Sequence, residues 1–180
     1  RFDRAYCPSP LCAPSRAAIM AGRFVHEIST WDNAFSYTGV PRGWGHYLVE
    51  NGVKLTTIGK IDFQPGTDTG VEDARLAKVR NSLDIHTLFA EGRVRPRYRH
   101  LHRLRESGPA KGNGEHKHDR LVTEAAAQWL RHERPKDCPW ILIVNIKKPH
   151  PGWNPPQELW DYYDPLVRLE NLDQRYSEPI

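Results

Sequence analysis

Trp140-Ile141-Leu142-Ile143-Val144-Asn145-Ile146 forms one continuous apolar run late in the chain. Such a run is typical of a central strand that is covered on both faces of a sheet. It follows residues 119–134, in which apolar side chains recur at helical spacing until Pro135 ends the pattern. A helix followed by a buried strand predicts an α/β layer with a largely parallel sheet. Residues 147–151 leave the carboxyl end of this strand, where open α/β sheets place their ligand sites.

Other elements are predicted upstream of this run. Trp44–Asn51 is predicted to be a helix that stops at Gly52. Val53–Ile58 alternates and is rich in β-branched residues, so it is predicted to be a strand with Gly59 and Lys60 at its end. The rest is expected to be loop at 64–73 and 105–117, partly helical at 76–88, and a short helical turn at 157–163.

The composition is that of a globular chain. It has 180 residues, enough for one domain with a real core, and no apolar run long enough to cross a membrane. The net charge of +4 is modest and is concentrated in the Arg-rich run 93–105. That run is interpreted first as solvated surface and second as an anion-binding segment. Because no nucleic-acid motif accompanies it, no nucleic-acid partner is expected.

Three cysteines, Cys7, Cys12 and Cys138, do not form a disulfide framework. Their spacing does not fit a zinc site either. One bridge with a spare thiol, or free or buried thiols, are the alternatives that the sequence leaves open.

A thiol precedes a predicted short helix in Cys12-Ala13-Pro14-Ser15-Arg16. Pro14 suits a first helical turn, residues 15–22 are predicted to be helical, and Gly22 is a natural stop. Unpaired backbone N–H groups at a helix start attract an anion. From these residues alone, Cys12 fits equally well a nucleophile at an anion site and a buried cysteine before an ordinary helix.

The same motif, with its small apolar helix and Gly22-Arg23, resembles the signature of the type I sulfatases, whose cysteine is oxidised to formylglycine. The resemblance is closest to the choline-sulfatase-like and arylsulfatase K-like branch of that family. It extends to further blocks of the sequence, which are Tyr6–Leu11, Trp31–Ala34, Gly59–Phe63, Asp119–Thr123 and Pro149–Pro151.

The resemblance implies an alkaline-phosphatase-like sulfatase fold, an α/β architecture with a mostly parallel central sheet flanked by helices. Residues 1–180 are expected to be part of a single catalytic domain. The family's carboxylate pairs before the cysteine motif and far downstream have no counterpart in the sequence. The metal-binding N-terminal strand and the C-terminal portion are therefore expected to be missing, and these residues alone are expected to be inactive.

The resemblance also implies catalytic roles for four residues. The hydrate of formylglycine at Cys12 attacks sulfur, and Arg16 holds that hydrate. Lys60 and His150 bind the sulfate oxygens and the leaving-group oxygen, against charge that develops in the transition state. Asp62 stands where many sulfatases carry histidine, and it is expected to contact the substrate, orient Lys60 or cap a turn.

Maturation and metal binding are implied in the same way. Cys12, Pro14, Ser15 and Arg16 form the signal for a formylglycine-generating enzyme, which is the expected maturation partner. The implied cofactor is a divalent cation, Ca²⁺ first and Mg²⁺ or Mn²⁺ as alternatives. Formylglycine at Cys12 is expected to be one ligand, with the other ligands outside the chain.

The predicted function is hydrolysis of a sulfuric ester, with a small-molecule or glycan sulfate as substrate. Two alternatives stay open. One is a phosphonate monoester or phosphodiester hydrolase of the same superfamily. The other is a non-catalytic module that binds anions or sulfated glycans through the Arg-rich run 93–105.

Overall fold

A computed structural model describes four stretches of the chain, residues 2–78, 107–112, 116–150 and 152–166. The chain divides into two compact units. The first joins Arg1–Pro96 to His118–Lys147, and the second joins Arg97–Lys117 to Lys148–Ile180. The Arg-rich run 93–105 and most of the predicted segment 76–88 lie outside the described residues.

The first unit is built on a parallel sheet of three strands in the order β2-β1-β3. Its strands are β1 (Lys54–Lys60), β2 (Asp73–Lys78) and β3 (Trp140–Asn145). The register between β1 and β3 runs from Lys54 opposite Trp140 to Gly59 opposite Asn145. The last residues of β1 and β3 therefore meet at one edge of the sheet, which is the carboxyl edge that the sequence predicted as a ligand site.

Helices cover the sheet on both faces because alternate strand residues point in opposite directions. On one face, Leu55 and Ile143 pack with Met20 of the helix α1 (Cys12–Ala21). On the other face, Ile58 and Leu142 pack with the helix α3 (Lys117–Gln128) and the π-helical turn Trp129–Glu133 that follows it. This layering confirms the predicted α/β class with a parallel sheet flanked by helices.

The helix α1 begins three residues earlier than the sequence suggested. Cys12 is its first residue rather than the residue before it, because Pro14 fits inside the first turn, where no backbone N–H is needed. Gly22 ends the helix in the left-handed conformation, with φ at 65° and its N–H donated to the Ala18 carbonyl at 2.9 Å. The predicted stop at Gly22 is thus confirmed.

The remaining elements agree with the sequence in part. The helix α2 (Trp44–Glu50), the helix α3 and the short helix α4 (Gln157–Tyr163) lie where they were predicted. Residues 76–78, at the start of the segment 76–88 that is predicted to be partly helical, belong to strand β2, so any helix in that segment would lie outside the described residues. The 3-10 turn Asp164–Leu166 extends α4.

The strand β3 is less buried than its apolar run predicted. Among the described strands β1 is central, with five consecutive buried residues, whereas β3 pairs only with β1 and exposes Val144. The prediction that this strand is central therefore fails within the described part of the chain, although helices pack on both of its faces. Whether a strand is central depends on which strands pair with it. The sequence of β1 does not indicate a central strand, because it contains threonines and a glycine rather than a continuous apolar run.

The second unit is held by a backbone pairing between a loop and the segment before α4. Gly108 donates its N–H to the Trp153 carbonyl at 3.1 Å, and Ala110 donates to the Pro155 carbonyl at 2.8 Å. A ring nitrogen of His116 lies 2.6 Å from the Asn154 carbonyl oxygen. The predicted loop character of 107–112 is confirmed. Of the helices that the structure describes, none has both the length and the apolar character needed to span a bilayer.

Candidate active site

Cys12 lies at the amino end of α1, half-buried, at the positive end of the helix dipole. Ala13, the next residue, donates its backbone N–H to the side-chain oxygen of Asn33 at 3.0 Å. Asn33 therefore acts as a cap for α1 from a separate segment, because the first N–H groups of a helix lack partners within it. This bond fixes the start of the helix, and with it Cys12, against the loop that contains Asn33.

Arg16 lies one helical turn after Cys12, on the same side of α1. Its Nη1 donates a hydrogen bond to Oδ1 of Asn145 at 2.8 Å. Its Nε lies 3.8 Å from Oδ2 of Asp62. The helix that begins with Cys12 is thus tied through Arg16 to the carboxyl edge of the sheet.

Lys60 and Asp62 form an ion pair at the end of β1. The Lys60 Nζ lies 3.0 Å from Asp62 Oδ2, and the side chains are 14% and 6% exposed. Asp62 adopts a left-handed backbone conformation with φ at 54°, which aspartate tolerates better than most residues. Ile61 and Phe63 on either side are buried in the core, so the turn that presents Asp62 is held by its neighbours.

The three charged side chains leave an excess of positive charge. Arg16 and Lys60 are both cations, and Asp62 supplies one negative charge between them. Because these groups are more than two-thirds buried, water screens them less than it screens surface charges. The cluster Arg16–Lys60–Asp62 is therefore suited to a singly charged anion.

Asn145 joins this cluster from the last position of β3. The opposite position on β1 is Gly59, and a side-chain carbon there would lie 2.2 Å from the Asn145 carbonyl oxygen. Only glycine allows this approach, and its φ of 102° also favours glycine. Arg16 and Asn145 lie at a pocket of about 100 Å³ whose other lining residues are mainly apolar, namely Ile19, Met20, Thr57, Ile61, Phe63 and Ile143.

The three cysteines are free thiols, so no bridge forms among them. Cys7 is exposed, and its Sγ donates to the Ser9 carbonyl at 2.8 Å and to Ser15 Oγ at 3.3 Å. Ser15 of the predicted modification signal is therefore contacted by the segment that precedes α1. Of the alternatives left open by the sequence, free thiols are the one observed.

His150 belongs to the second unit, which also contains Lys148 and Trp153. It is half-buried in the segment after β3. Around it, Lys148 Nζ donates to the Gly152 carbonyl at 2.6 Å, and Trp153 Nε1 donates to the Pro149 carbonyl at 2.7 Å. The structure thus brings together Arg16, Lys60 and Asp62, whereas the role of His150 stays a prediction.

The described residues do not form a metal centre by themselves. Within 2–78, 107–112, 116–150 and 152–166, no group of three or more His, Cys, Asp or Glu side chains fits a metal ion. Asp62, the carboxylate next to Arg16, is engaged with two cations. A hard divalent cation needs about six oxygen ligands, so these residues do not supply its coordination shell.

Two site residues were not identified from the sequence. Asn33 lies in the block Trp31–Ala34, whose resemblance was noted without a role. Asn145 ends an apolar run that predicts a strand. A single polar residue at the carboxyl end of such a strand indicates a site residue, because ligand sites lie at that edge of the sheet. Both act over long sequence distances, and Asn145 is 129 residues from Arg16.

The chain is similar in sequence to known proteins. The family model described as Sulfatase matches residues 1–165. Choline-sulfatase of Rhizobium meliloti (strain 1021) is 27% identical over an alignment 185 residues long, which covers 94% of this chain and 35% of that protein. Arylsulfatase K of Danio rerio is 28% identical over 151 residues, covering 83% of this chain and 27% of that protein. The chain therefore spans about a third or less of these relatives.

A solved structure supports the fold independently. The structure of BT4656 in complex with its substrate D-glucosamine-2-N,6-O-disulfate superimposes with a TM-score of 0.58 at 20% identity. The match covers 93% of this chain and 31% of that one. At this identity the likeness concerns the fold, and it agrees with the parallel sheet and flanking helices described above.

Proposed function

Because the chain belongs to the sulfatase family, we propose that the full-length gene product hydrolyses an organic sulfate ester at the site that Cys12, Arg16 and Lys60 begin to form. The observation that supports this proposal most directly is the cluster Arg16–Lys60–Asp62 beside the helix that starts with Cys12. A sulfate monoester carries one negative charge, and this cluster carries one excess positive charge.

Formylglycine derived from Cys12 would supply a geminal diol. One of its oxygens attacks sulfur as the S–O bond of the ester breaks and the alcohol leaves, which gives a sulfated enzyme. The other hydroxyl then loses its proton and re-forms the aldehyde as the C–O bond to sulfate breaks, and water restores the diol. The surroundings of Cys12 suit that role. Its place in the first turn of α1 puts it where the helix dipole favours negative charge. The Asn33 cap and the Arg16 contacts hold that turn against two other segments.

Lys60 is the residue we assign to the sulfate oxygens. Its side chain is 14% exposed and its ammonium nitrogen lies 3.0 Å from Asp62, so the ammonium group cannot relax freely into water. A donor held in place before the reaction stabilises developing charge without reorganisation, which is the basis of electrostatic catalysis. In this proposal Asp62 orients Lys60, and His150 keeps the role that the family resemblance gives it, which is to bind a sulfate or leaving-group oxygen.

The metal and the maturation partner remain family-level inferences for this chain. Sulfatases generally use a divalent cation, and we propose Ca²⁺ with formylglycine at Cys12 as one of its ligands. Because the described residues contain no group of three or more His, Cys, Asp or Glu side chains that could hold the ion, we place its other ligands outside this chain. We further propose that Cys12, Pro14, Ser15 and Arg16 form the signal for a formylglycine-generating enzyme.

The test is a parallel assay of the full-length gene product, co-expressed with a formylglycine-generating enzyme. p-Nitrophenyl sulfate, p-nitrophenyl phosphate and bis-p-nitrophenyl phosphate are the three substrates. We expect the highest kcat/KM on the sulfate ester, and a loss of at least ~10³-fold in Cys12→Ala because the covalent route is removed. The matched variant Cys138→Ala should keep its activity.

A preference of several orders of magnitude for the phosphodiester would replace this proposal with the phosphodiesterase alternative. Hydrolysis of none of the three esters, together with binding of a sulfated glycan that survives Cys12→Ala, would favour the binding-module alternative, in which residues 93–105 hold the glycan.

A further inference from the structure

Arg16 is anchored by a neutral partner, although a carboxylate is close at hand. Its shortest polar contact is the 2.8 Å hydrogen bond to the Asn145 amide oxygen, and Asp62 lies 3.8 Å from its Nε. Asp62 lies closer to Lys60, at 3.0 Å. One carboxylate is therefore shared by two cations, and because Asn145 is neutral the cluster keeps one excess positive charge for another anion.

The Asn145 side chain can present only its oxygen to Arg16. A guanidinium group has donors and no acceptor, so the amide oxygen faces Nη1 and the amide nitrogen points elsewhere. Nε of Arg16 faces Asp62, and Nη1 donates to Asn145. Among the described residues, no hydrogen-bond partner of Nη2 is found, so Nη2 can donate to a ligand.

The position of Asn145 is itself tightly fixed. It is the last residue of β3, in register with Gly59 of β1, and its carbonyl oxygen lies where a side chain on that glycine would begin. The amide thus reaches Arg16 from a rigid sheet edge rather than from a loop. Such support by a rigid element is what holds a binding group in a productive geometry.

We propose that Asn145 is a positioning residue that orients Arg16 without adding a negative charge to the cluster, so that the Arg16 guanidinium binds the anionic group of the substrate. The inference rests on the proposed function for the identity of the anion. The role of Asn145 can nevertheless be tested separately from ester hydrolysis. An aspartate at position 145 would keep the shape of the side chain and its hydrogen bond to Arg16, while cancelling the excess positive charge of the cluster.

The experiment compares Asn145→Asp with Asn145→Ala in the full-length gene product. Binding of inorganic sulfate, and in parallel of inorganic phosphate, is measured by calorimetry, and unfolding is measured by urea titration. Because calorimetry does not require turnover, it tests the role of Asn145 even where no ester is hydrolysed. Asn51→Asp introduces the same change on the exposed surface after α2 and serves as the matched control.

We expect Asn145→Asp to weaken sulfate binding about tenfold or more, because it places a negative charge next to Arg16. Its unfolding midpoint should be unchanged or raised, since a new ion pair forms. Asn145→Ala should weaken binding less, by about three- to tenfold, because the charge persists and only the orientation is lost.

Two results would overturn the proposal. The first is an Asn145→Asp protein that binds sulfate as tightly as the unaltered protein. The second is a wild-type protein that binds neither anion. Should Asn145→Ala fail to fold, the nearly isosteric Asn145→Asp still decides the question. If Asn145 had only a structural role, an Asn145→Asp protein of unchanged stability would bind sulfate as tightly as the unaltered protein.

Discussion

The ammonium nitrogen of Lys60 lies 3.0 Å from a carboxylate oxygen of Asp62, and both side chains are largely buried. The carboxylate also faces Arg16, whose Nε is 3.8 Å from the same oxygen. One carboxylate thus holds two cations at the carboxyl edge of the sheet. Its removal should change both the stability of the fold and the charge that the site offers to a substrate.

Asp62→Asn tests this arrangement. We expect the free energy of unfolding to fall by about 3 kcal/mol, because Lys60 is left buried beside a neutral group. The excess positive charge of the cluster rises by one, so the ratio of kcat/KM on a phosphate monoester to that on a sulfate ester should rise about tenfold. Urea titration and a paired p-nitrophenyl assay of the full-length gene product measure the two effects.

Glu72→Gln is the control for this variant, because Glu72 pairs with Lys54 at 3.8 Å in a more exposed place at the other end of β1. It should change stability little, since exposed pairs contribute little. An Asp62→Asn protein with unchanged stability and an unchanged substrate ratio would contradict the role given to the carboxylate.

Gly59→Ala should disrupt the contact between β1 and β3. The new side-chain carbon would lie 2.2 Å from the Asn145 carbonyl oxygen, at a φ of 102°. We expect a loss of at least about 2 kcal/mol in the free energy of unfolding, because the backbone must shift and the conformation is strained. Sulfate affinity should fall as well, since Asn145 moves.

Gly52→Ala provides the comparison for that variant. Gly52 also has a positive φ, 79°, but a side-chain carbon there meets nothing within 4 Å. Its cost should be about 1 kcal/mol, the conformational penalty alone. Equal losses for the two alanines would show that the close approach to Asn145 is not what requires a glycine at 59.

Asn33→Ala should weaken the start of α1. The variant removes the acceptor that receives the Ala13 N–H at 3.0 Å, and loss of a helix cap costs about 1 kcal/mol. Asn33→Asp keeps the acceptor and adds a negative charge near the helix start, so it should retain stability. Thermal unfolding of both variants checks this, and a destabilised Asn33→Asp beside an unaffected Asn33→Ala would refute the cap.

The buried phenol of Tyr37 should make the folding stability fall at high pH. Its ring is buried and its hydroxyl donates to the Pro41 carbonyl at 2.8 Å, and burial raises the pKa of this phenol. Above the ordinary tyrosine pKa the unfolded chain loses this proton while the folded chain keeps it. The contribution of Tyr37 to stability is therefore complete below that pKa and is lost as pH rises through the raised value.

Unfolding of Tyr37→Phe and of the unaltered protein at two pH values, one near neutrality and one above the ordinary tyrosine pKa, isolates this effect. The stability difference between the two proteins should shrink or reverse at the higher pH. A constant difference would indicate that Tyr37 ionises equally in both states.

The local elements could be predicted from the sequence where one physical cause determines them. Gly22 ends α1 because glycine tolerates a positive φ, and the apolar stripe of Leu121–Leu130 predicts α3 because helical spacing puts it on one face. The strand that is predicted before Lys60 likewise predicts that Lys60 lies at the edge of the sheet.

The long-range relations could not be predicted in this way. The Arg16 contact with Asn145 and the Asn33 cap on α1 join segments whose proximity depends on the order of the strands and the packing of α1. The same order makes β1 central, although its threonines are less apolar than β3. Pairing order is a property of the whole sheet, and local sequence patterns do not encode it.

The state of Cys12 tests the account most directly. The full-length gene product, co-expressed with a formylglycine-generating enzyme, is digested with chymotrypsin, whose cleavage after Leu11 separates Cys7 from Cys12, and the three cysteine peptides are weighed by mass spectrometry. We predict that the Cys12 peptide is lighter than the thiol form by about 18 Da, while the Cys7 and Cys138 peptides keep their thiol masses. An unmodified Cys12 in a preparation that hydrolyses sulfate esters would contradict the proposed chemistry.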